Sequence, residues 1–479
     1  MQSVETSAFE KNQTLGTPMQ WRIGIALAIT LIALSAYFLR SAIGLRGQSV
    51  AGVIFFFGLV AVFSQNLRTV NWQTIIWGFS LQMILAVLVL KVEFVYTIIS
   101  AVGGVVKKFI GFSDAGAQFV FGNLADARPP AIGGTWSKLF ESNYMFQFAF
   151  VALPPILFVS AFFTLLYHFG ILQKCVRLLA RIMVNLMGTS GAETLSVSAN
   201  VFMGQTEAPL IVKPYVPRMT NSELFALMVS GMAHISGGMM VVYINYGADP
   251  VAVLTTCVMA CPCSLYLAKL FLPETSTPET LGTVNTHSEK SPYVNAIDAI
   301  ASGTTDGLKL ALNVGAMLIV FIAFVAMFDA LLAGIKPILI SMGLSPEALL
   351  NWPDDLSLRK VFGWCFAPAA FLMGIEMADI QKVGSLLGSK LAINEHYAYL
   401  QMKEWKAVPE YMTERSYQLT AFALTGFANF SSIGIQLGGI GAMAPERRGD
   451  LAKLGARALF VGFVATLLNA AIAGILINN

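Results

Sequence analysis

Asn200-Val201-Phe202-Met203-Gly204-Gln205-Thr206-Glu207-Ala208-Pro209 is a polar stretch set between long hydrophobic runs. An amide, a hydroxyl and a carboxylate stand in consecutive positions, Gln205, Thr206 and Glu207. At membrane depth each of these groups needs a partner, because a central Asp or Lys costs about 2.5–3.5 kcal/mol on insertion scales. An intramembrane ionisable residue reads by default as part of a ligand pathway. Two more polar clusters follow, Asn394-Glu395-His396-Tyr397 and Gly426-Phe427-Ala428-Asn429-Phe430-Ser431-Ser432-Ile433-Gly434. Other chemistries lack their residues. No Gly-x-Ser-x-Gly elbow or HExxH motif is present, no Ser-Lys catalytic motif is recognised, and His168, His234, His287 and His396 follow no metal-ligand spacing. Cys261-Pro262-Cys263 has no second ligand pair and reads as buried structure.

These clusters sit in a chain of 479 residues that is 56% hydrophobic and only 12% charged. Soluble proteins average about 25% charged residues. The composition specifies a polytopic membrane protein, and a net charge of +3 is too small to suggest a nucleic-acid partner. Residues 1–20 form a polar tail with no basic leader before a short apolar core, so the sequence expects no cleaved signal peptide. A spanning helix needs about 20 apolar residues. Residues 22–39, 48–64, 145–168, 250–272, 308–335 and 453–477 meet that need. The run 73–100 carries Lys91 and Glu93 and is either a tilted span or a span followed by an interfacial piece. Residues 104–143 hold Lys107, Lys108, Phe109, Phe112, Phe119, Phe121, Pro129, Pro130 and Trp136, a pattern suited to an amphipathic segment on the membrane surface.

Regularity fails twice. Residues 176–199 hold Arg177, Arg181, Asn185 and Gly188, and the apolar piece after the first polar stretch is too short to cross. A re-entrant hairpin turning at Gly204 explains this, and such backbone survives only where protein or a wet cavity buries it. Residues 222–247 then form a span interrupted by His234, Ser236, Gly237 and Gly238. The pattern repeats in residues 361–392, broken by Pro368, Glu376 and Asp379. The cluster at 394–397, a charged connector over 401–415 and a span over 417–442 broken at Asn429 follow. Thirty-four positions separate Asn200 from His234, and 34 separate Glu395 from Asn429. Paired interrupted segments in two halves point to a secondary transporter with its site near the midplane.

The motifs resemble those of the concentrative nucleoside transporter family. Gly204-Gln205-Thr206-Glu207-Ala208-Pro209-Leu210 is similar to that family's first hairpin tip. Gly388-Ser389-Lys390-Leu391-Ala392-Ile393-Asn394-Glu395 is similar to its Gly-x-Lys…Asn-Glu-Phe signature, and residues 426–434 to its second broken helix. The resemblance runs from about residue 50 to the end. It implies an all-α polytopic membrane protein with eight transmembrane helices, two re-entrant hairpins in inverted repeats and interfacial amphipathic helices. It also implies a homotrimer in the plasma (inner) membrane that imports nucleosides on a cation gradient, with no cofactor and no enzymatic step. The division expected is a tail (1–20), mainly scaffold helices (21–170), a first transport repeat (171–273), a polar connector and interfacial segment (274–307), a scaffold helix (308–335) and a second repeat (336–479).

By the same resemblance Gln205, Thr206 and Glu207 read the nucleobase. Glu395, Asn429 and Ser432 hold the ribose, with Phe427 packing on the ligand. The chemistry agrees: a carboxamide offers a base edge both donor and acceptor, and a carboxylate accepts from a vicinal diol through the stronger, charged type of hydrogen bond. Asn200, Met203, His234 and Ile235 are implied as the sodium site. His234 stands where the family often has a small hydroxyl residue. An imidazole is a poorer sodium ligand and titrates near physiological pH, so a proton is the alternative coupling ion. His396-Tyr397 replaces Phe-Val, and Met377 stands where the family often has Trp. Three bland expectations complete the reading: Arg177 and Arg181 face water, Glu376 and Asp379 stabilise the second hairpin, and a Lys390–Glu395 ion pair is an alternative to ligand binding at Glu395.

Overall fold

The computed structural model describes residues 16–125, 148–151, 153–282, 293–343 and 356–477. Among these the chain is helical apart from turns and one isolated bridge between Ser190 and Leu281. Three apolar helices open it, α1 (Met19–Phe38), α2 (Arg40–Val62) and α3 (Trp72–Lys91). Val92 breaks the run 73–100, and α4 (Glu93–Phe121) follows. The run is therefore a span followed by a separate helix, which begins at Glu93 rather than near 104. Phe112 and Phe119 on α4 are exposed, whereas the Phe109 ring packs at a tilt against Phe158 and Phe162, with centroids 4.6 and 4.5 Å away. Pro129, Pro130 and Trp136, like residues 1–15 of the tail and His287 of the connector, lie outside the described residues.

Within the span expected at 145–168, the described residues are helical over Phe148–Val151 and again from Pro154. The second piece, α5 (Pro154–His168), meets α6 (Ile171–Met187) at a 75° bend, with left-handed Gly170 between them. Hydropathy counts apolar residues and cannot register that change of direction. On α6, Leu172, Val176, Ala180, Met183, Val184 and Met187 recur at helical spacing and are buried, while Arg177 and Arg181 point outward as expected.

Gly188 (φ +66°) ends α6, so residues 176–199 are two elements and not one hairpin leg. The leg is α7 (Gly191–Ala199), and the chain returns from the tip through 3₁₀ turns at Ala208–Val212 and Val216–Arg218. Pro209, Pro214 and Pro217 withhold the N–H groups that a longer α-helix would need. A broken helix follows as α8 (Asn221–Ala233) and α9 (Gly237–Asn245), then a full span, α10 (Pro250–Phe271).

The long helix α11 (Ala296–Ser341) begins earlier than the expected 308, because Asn295 caps it by accepting from the Asp298 N–H at 2.9 Å. After α12 (Leu358–Leu372), the second hairpin is α13 (Ile380–Ala392) and α14 (Glu395–Lys406), turning on Ile393-Asn394. Residues 401–406 are thus a helical leg rather than connector. The second broken helix is α15 (Glu414–Leu424) and α16 (Phe430–Met443), and α17 (Arg448–Leu476) is the last span. The order helix, hairpin, broken helix, span occurs twice, from α6 to α10 and from α12 to α17.

Seven helices among the described residues are long and apolar enough to cross a membrane, and the bent α5–α6 pair raises this to eight. Their surroundings differ sharply. The apolar window of α8–α9 is 94% buried, whereas that of the α11 segment Ile322–Ser341 is 0% buried. The broken helices and α10 and α17 form the centre, and α1 and α11 present Leu and Ile outward. The chain is an integral, multi-pass membrane protein.

The base of the first hairpin is locked by charge. Ser190 and Thr220 each form a reciprocal capping box, with Glu193 and Glu223 respectively, and the Ser190 hydroxyl donates to Glu223 at 2.5 Å. Lys269, near the end of α10, reaches Glu193 at 2.7 Å and Glu274 at 3.2 Å. The second hairpin has a smaller lock: Asp379 pairs with Lys382 at 3.0 Å and accepts from the Thr413 N–H at 3.0 Å. Asp379 thereby takes the stabilising role expected of it. Cys261 and Cys263 are buried thiols directed at the carbonyls of Val197 and Ala465.

Candidate functional site

Each broken helix stops at residues that favour caps over helix interior. After Ala233, His234 is extended (φ −109°, ψ 170°) and Ser236 restarts the helix as N-cap, accepting from the Met239 N–H at 3.3 Å. After Leu424, Gly426 adopts φ +148°, a conformation closed to residues with a side chain, and Asn429 caps α16. The two breaks touch, since the Phe427 N–H donates to the His234 carbonyl at 3.0 Å.

At the second hairpin tip, Asn394 caps α14 and places Glu395 in its first turn, where the helix dipole favours negative charge. The Asn429 Oδ1 accepts from the Ser432 N–H at 2.9 Å and the Ser431 hydroxyl at 2.6 Å. Both partners are donors, so the network assigns Nδ2 as the atom that donates to Glu395 Oε2 at 2.9 Å. The Tyr243 hydroxyl of α9 donates to Glu395 Oε1 at 2.7 Å. One carboxylate therefore joins the second hairpin to both broken helices.

At the first hairpin tip, Gln205 reaches the opposite repeat. The Gln436 amide donates to the Met228 carbonyl at 3.0 Å and to Gln205 Oε1 at 3.2 Å, which orients Gln205 so that its Nε2 donates to Ser432 Oγ at 3.2 Å. This leaves Gln205 one N–H and one lone pair for a ligand edge. Thr206 lies over Gly439 of α16, where a Cβ would stand 2.7 Å from its Cγ2. Glu207 turns back to accept from the Gly204 N–H at 3.0 Å. Phe427, two residues before Asn429 at the second break, is half-buried.

The structure thus joins Glu395, Asn429, Ser432 and Gln205 in one hydrogen-bonded chain. Glu207 bonds only to its own tip among the described residues. Lys390 does not pair with Glu395. It is fully buried and donates to the Ala423 carbonyl at 2.7 Å and the Thr466 hydroxyl at 3.0 Å, at the carbonyl-rich end of α15.

Asn200 and His234 meet through Ser230. The Asn200 Nδ2 donates to Ser230 Oγ at 3.0 Å, and His234 Nδ1 lies 2.9 Å from the Ser230 carbonyl. A carbonyl only accepts, so Nδ1 carries the proton and Nε2 of a neutral ring bears a lone pair. That Nε2 and the Asn200 Oδ1 are buried without a well-formed hydrogen bond, although the Cys257 carbonyl also lies against the ring. Among the described residues no main-chain N–H is directed at the carbonyls of Met203 or Ile235, both in non-helical backbone. Four acceptors without donors suit a cation chemically, three of them oxygens.

Sequence reasoning missed Tyr243, Gln436 and Ser230. Spacing carried a signal for two of them: Gln436 lies four residues beyond Ser432 on the same face of α16, and Ser230 four before His234.

Family models described as the Na+ dependent nucleoside transporter N-terminus, nucleoside recognition and the Na+ dependent nucleoside transporter C-terminus match residues 51–124, 149–249 and 252–474. An uncharacterized transporter of Haemophilus influenzae is 36% identical over 90% of this chain and 98% of its own length. Human sodium/nucleoside cotransporter 1 is 34% identical over 89% of this chain, which spans 63% of that longer relative. The solved structure of CNTnw in an inward-facing substrate-bound state superposes with a TM-score of 0.81 at 32% identity, covering 90% of this chain and 98% of that one. On this similarity along nearly its whole length, the chain belongs to the concentrative nucleoside transporter family.

Proposed function

We propose that the protein is a secondary active symporter that imports nucleosides on a sodium gradient. The observation that carries this reading is the crossing of the repeats: each hairpin tip hydrogen-bonds into the opposite repeat's broken helix, Gln205 to Ser432 and Glu395 to Tyr243. A ligand inserted there meets both hairpins and both breaks. Gln205, Thr206 and Glu207 take the nucleobase edge; Glu395, Asn429 and Ser432 take the ribose; Phe427 packs against the ligand. The residues favour a neutral ligand, because two carboxylates would repel a phosphate. Residues 171–273 and 336–479 form the transport domain, which moves in an elevator-like way against a scaffold of 21–170 and 308–335 in a homotrimer. The locked hairpin bases support movement of each hairpin together with its broken helix.

Gly231 of α8 lies where the repeats cross. A Cβ there would stand 2.5 Å from Gln436 Nε2 and 3.0 Å from Gln205 Cβ. Gly231→Ala is therefore expected to displace the Gln436–Gln205 bridge and raise KM for nucleoside uptake by about tenfold, one lost buried hydrogen-bond arrangement. Saturation uptake curves at matched expression check this. An unchanged KM contradicts a ligand-facing Gln205.

Asn200, Met203, His234 and Ile235 hold the sodium ion in this reading. The buried His234 ring, with the Ser230 and Cys257 carbonyls against it, favours a second reading, in which a proton binds there and drives uptake. Proteoliposomes with a sodium gradient at equal pH, and with a pH gradient without sodium, separate the two. The sodium reading predicts accumulation in the first case only, and His234→Ser is expected to lower the sodium concentration for half-maximal uptake by roughly tenfold, the worth of one good oxygen contact. Uptake that follows pH and ignores sodium removal reverses the assignment.

A further inference from the structure

We propose that Tyr243 determines sugar specificity: its hydroxyl sets the Glu395 carboxylate so that both oxygens face a vicinal diol, selecting ribonucleosides over deoxyribonucleosides. This rests on the reading that Glu395 holds the ribose.

A carboxylate offers about four acceptor directions, two on each oxygen. Here one side-chain donor holds each oxygen, Tyr243 on Oε1 at 2.7 Å and Asn429 on Oε2 at 2.9 Å. The backbone N–H of Glu395 also bonds to the carboxylate, and with a fixed side-chain donor on each oxygen the remaining acceptor capacity is held in one orientation, as the two hydroxyls of a cis diol require. With Asn429 alone, the carboxylate would pivot about its side-chain bond, and one oxygen would lose its alignment.

The Tyr243 hydroxyl is itself held in place. Its ring stacks on Tyr399 at 4.3 Å with planes 16° apart, and the Tyr399 hydroxyl bonds to Thr425 Oγ1 at 2.8 Å and the Ala421 carbonyl at 2.9 Å beside the second break. Both rings are fully buried. One turn along the same helix face, Tyr246 meets the next tip residue, His396, at 3.0 Å. Consecutive tip residues thus dock on tyrosines three apart, and only the first of these contacts touches the carboxylate.

The test is equilibrium binding of uridine and 2′-deoxyuridine to purified full-length protein at saturating sodium and fixed pH. Wild type is expected to favour uridine by about tenfold, the worth of one hydroxyl bonded to a charged acceptor. Tyr243→Phe is expected to bring that ratio close to one, mainly by weakening uridine. Tyr246→Phe, which removes a hydroxyl without touching Glu395, is expected to keep the ratio. Equal weakening of both ligands by Tyr243→Phe, or a wild type that does not distinguish them, overturns the proposal. If Tyr243→Phe does not fold, Tyr399→Leu removes the supporting ring and is expected to lower the same ratio; an unchanged ratio overturns the proposal there too. Glu395→Gln separates the two levels. Wild-type uridine affinity in that variant defeats the ribose assignment and this proposal with it, whereas a lost ratio in Glu395→Gln and an intact one in Tyr243→Phe defeats only Tyr243.

Discussion

Glu395→Gln is expected to lower kcat/KM for uridine uptake by on the order of 100-fold while leaving the protein folded. The side chains are nearly isosteric, and the partners tolerate the exchange. The new amide can turn its oxygen to the Asn429 Nδ2, and the Tyr243 hydroxyl can accept from its NH₂ as readily as it donated to Glu395 Oε1. What disappears is the charge and one acceptor. Two diol hydroxyls then lose charge-assisted hydrogen bonds, each worth roughly 1.5 kcal/mol more than its neutral replacement, and about 3 kcal/mol is slightly more than 100-fold. Uptake of labelled uridine into vesicles at matched expression measures this, with size-exclusion chromatography as the check on folding. Near wild-type uptake would remove Glu395 from the site.

Lys269→Met is expected to destabilise the protein by about 3–5 kcal/mol, the usual cost of removing one partner of a buried ion pair. The Lys269–Glu193 pair is almost wholly shielded, with 8% and 1% of the side chains exposed. The same ammonium also serves Glu274 and the Ser222 hydroxyl. Without it, Glu193 is a carboxylate buried next to Glu223 through Ser190, with no cation to offset either. Adding Glu193→Gln removes the uncompensated charge and keeps an acceptor for the Ser190 N–H, so the double variant is expected to recover part of the loss. Thermal unfolding in detergent gives the comparison. Additive single-variant losses would contradict a pairwise charge contact, because neighbours in one network couple.

Much of the site was legible because polarity is scarce in this chain. Both 34-residue spacings correspond to contacts: Asn429 meets Glu395 directly, and Asn200 reaches His234 through Ser230. The tips and breaks announced themselves as Asn, Ser, Thr and Gly inside apolar runs, where such residues either cap a helix or cost free energy. Tyr243 and Gln436 did not stand out. A tyrosine in an apolar run is equally at home in a core, and its hydroxyl partner lies 152 positions away. Lys390 was legible as buried charge but not in its partner, because the sequence locates the break in α15–α16 without showing which side chain faces the carbonyls it frees. The α5–α6 bend and the helical character of residues 395–406 were hidden for opposite reasons. The bend leaves hydropathy unchanged. The α14 leg carries charges at 403, 404 and 406 that read as connector until the Asn394 cap and the buried Tyr399 and Met402 show its inner face.

The central claim is coupled accumulation of an intact nucleoside, and proteoliposomes test it most directly. Radiolabelled uridine is followed inside vesicles of the full-length protein under an inward sodium gradient, with the internal compound identified by mass. The account predicts unchanged uridine rising above the external concentration and falling back to it when an ionophore collapses the gradient. Uridine that only equilibrates, whatever gradient is imposed, would contradict it.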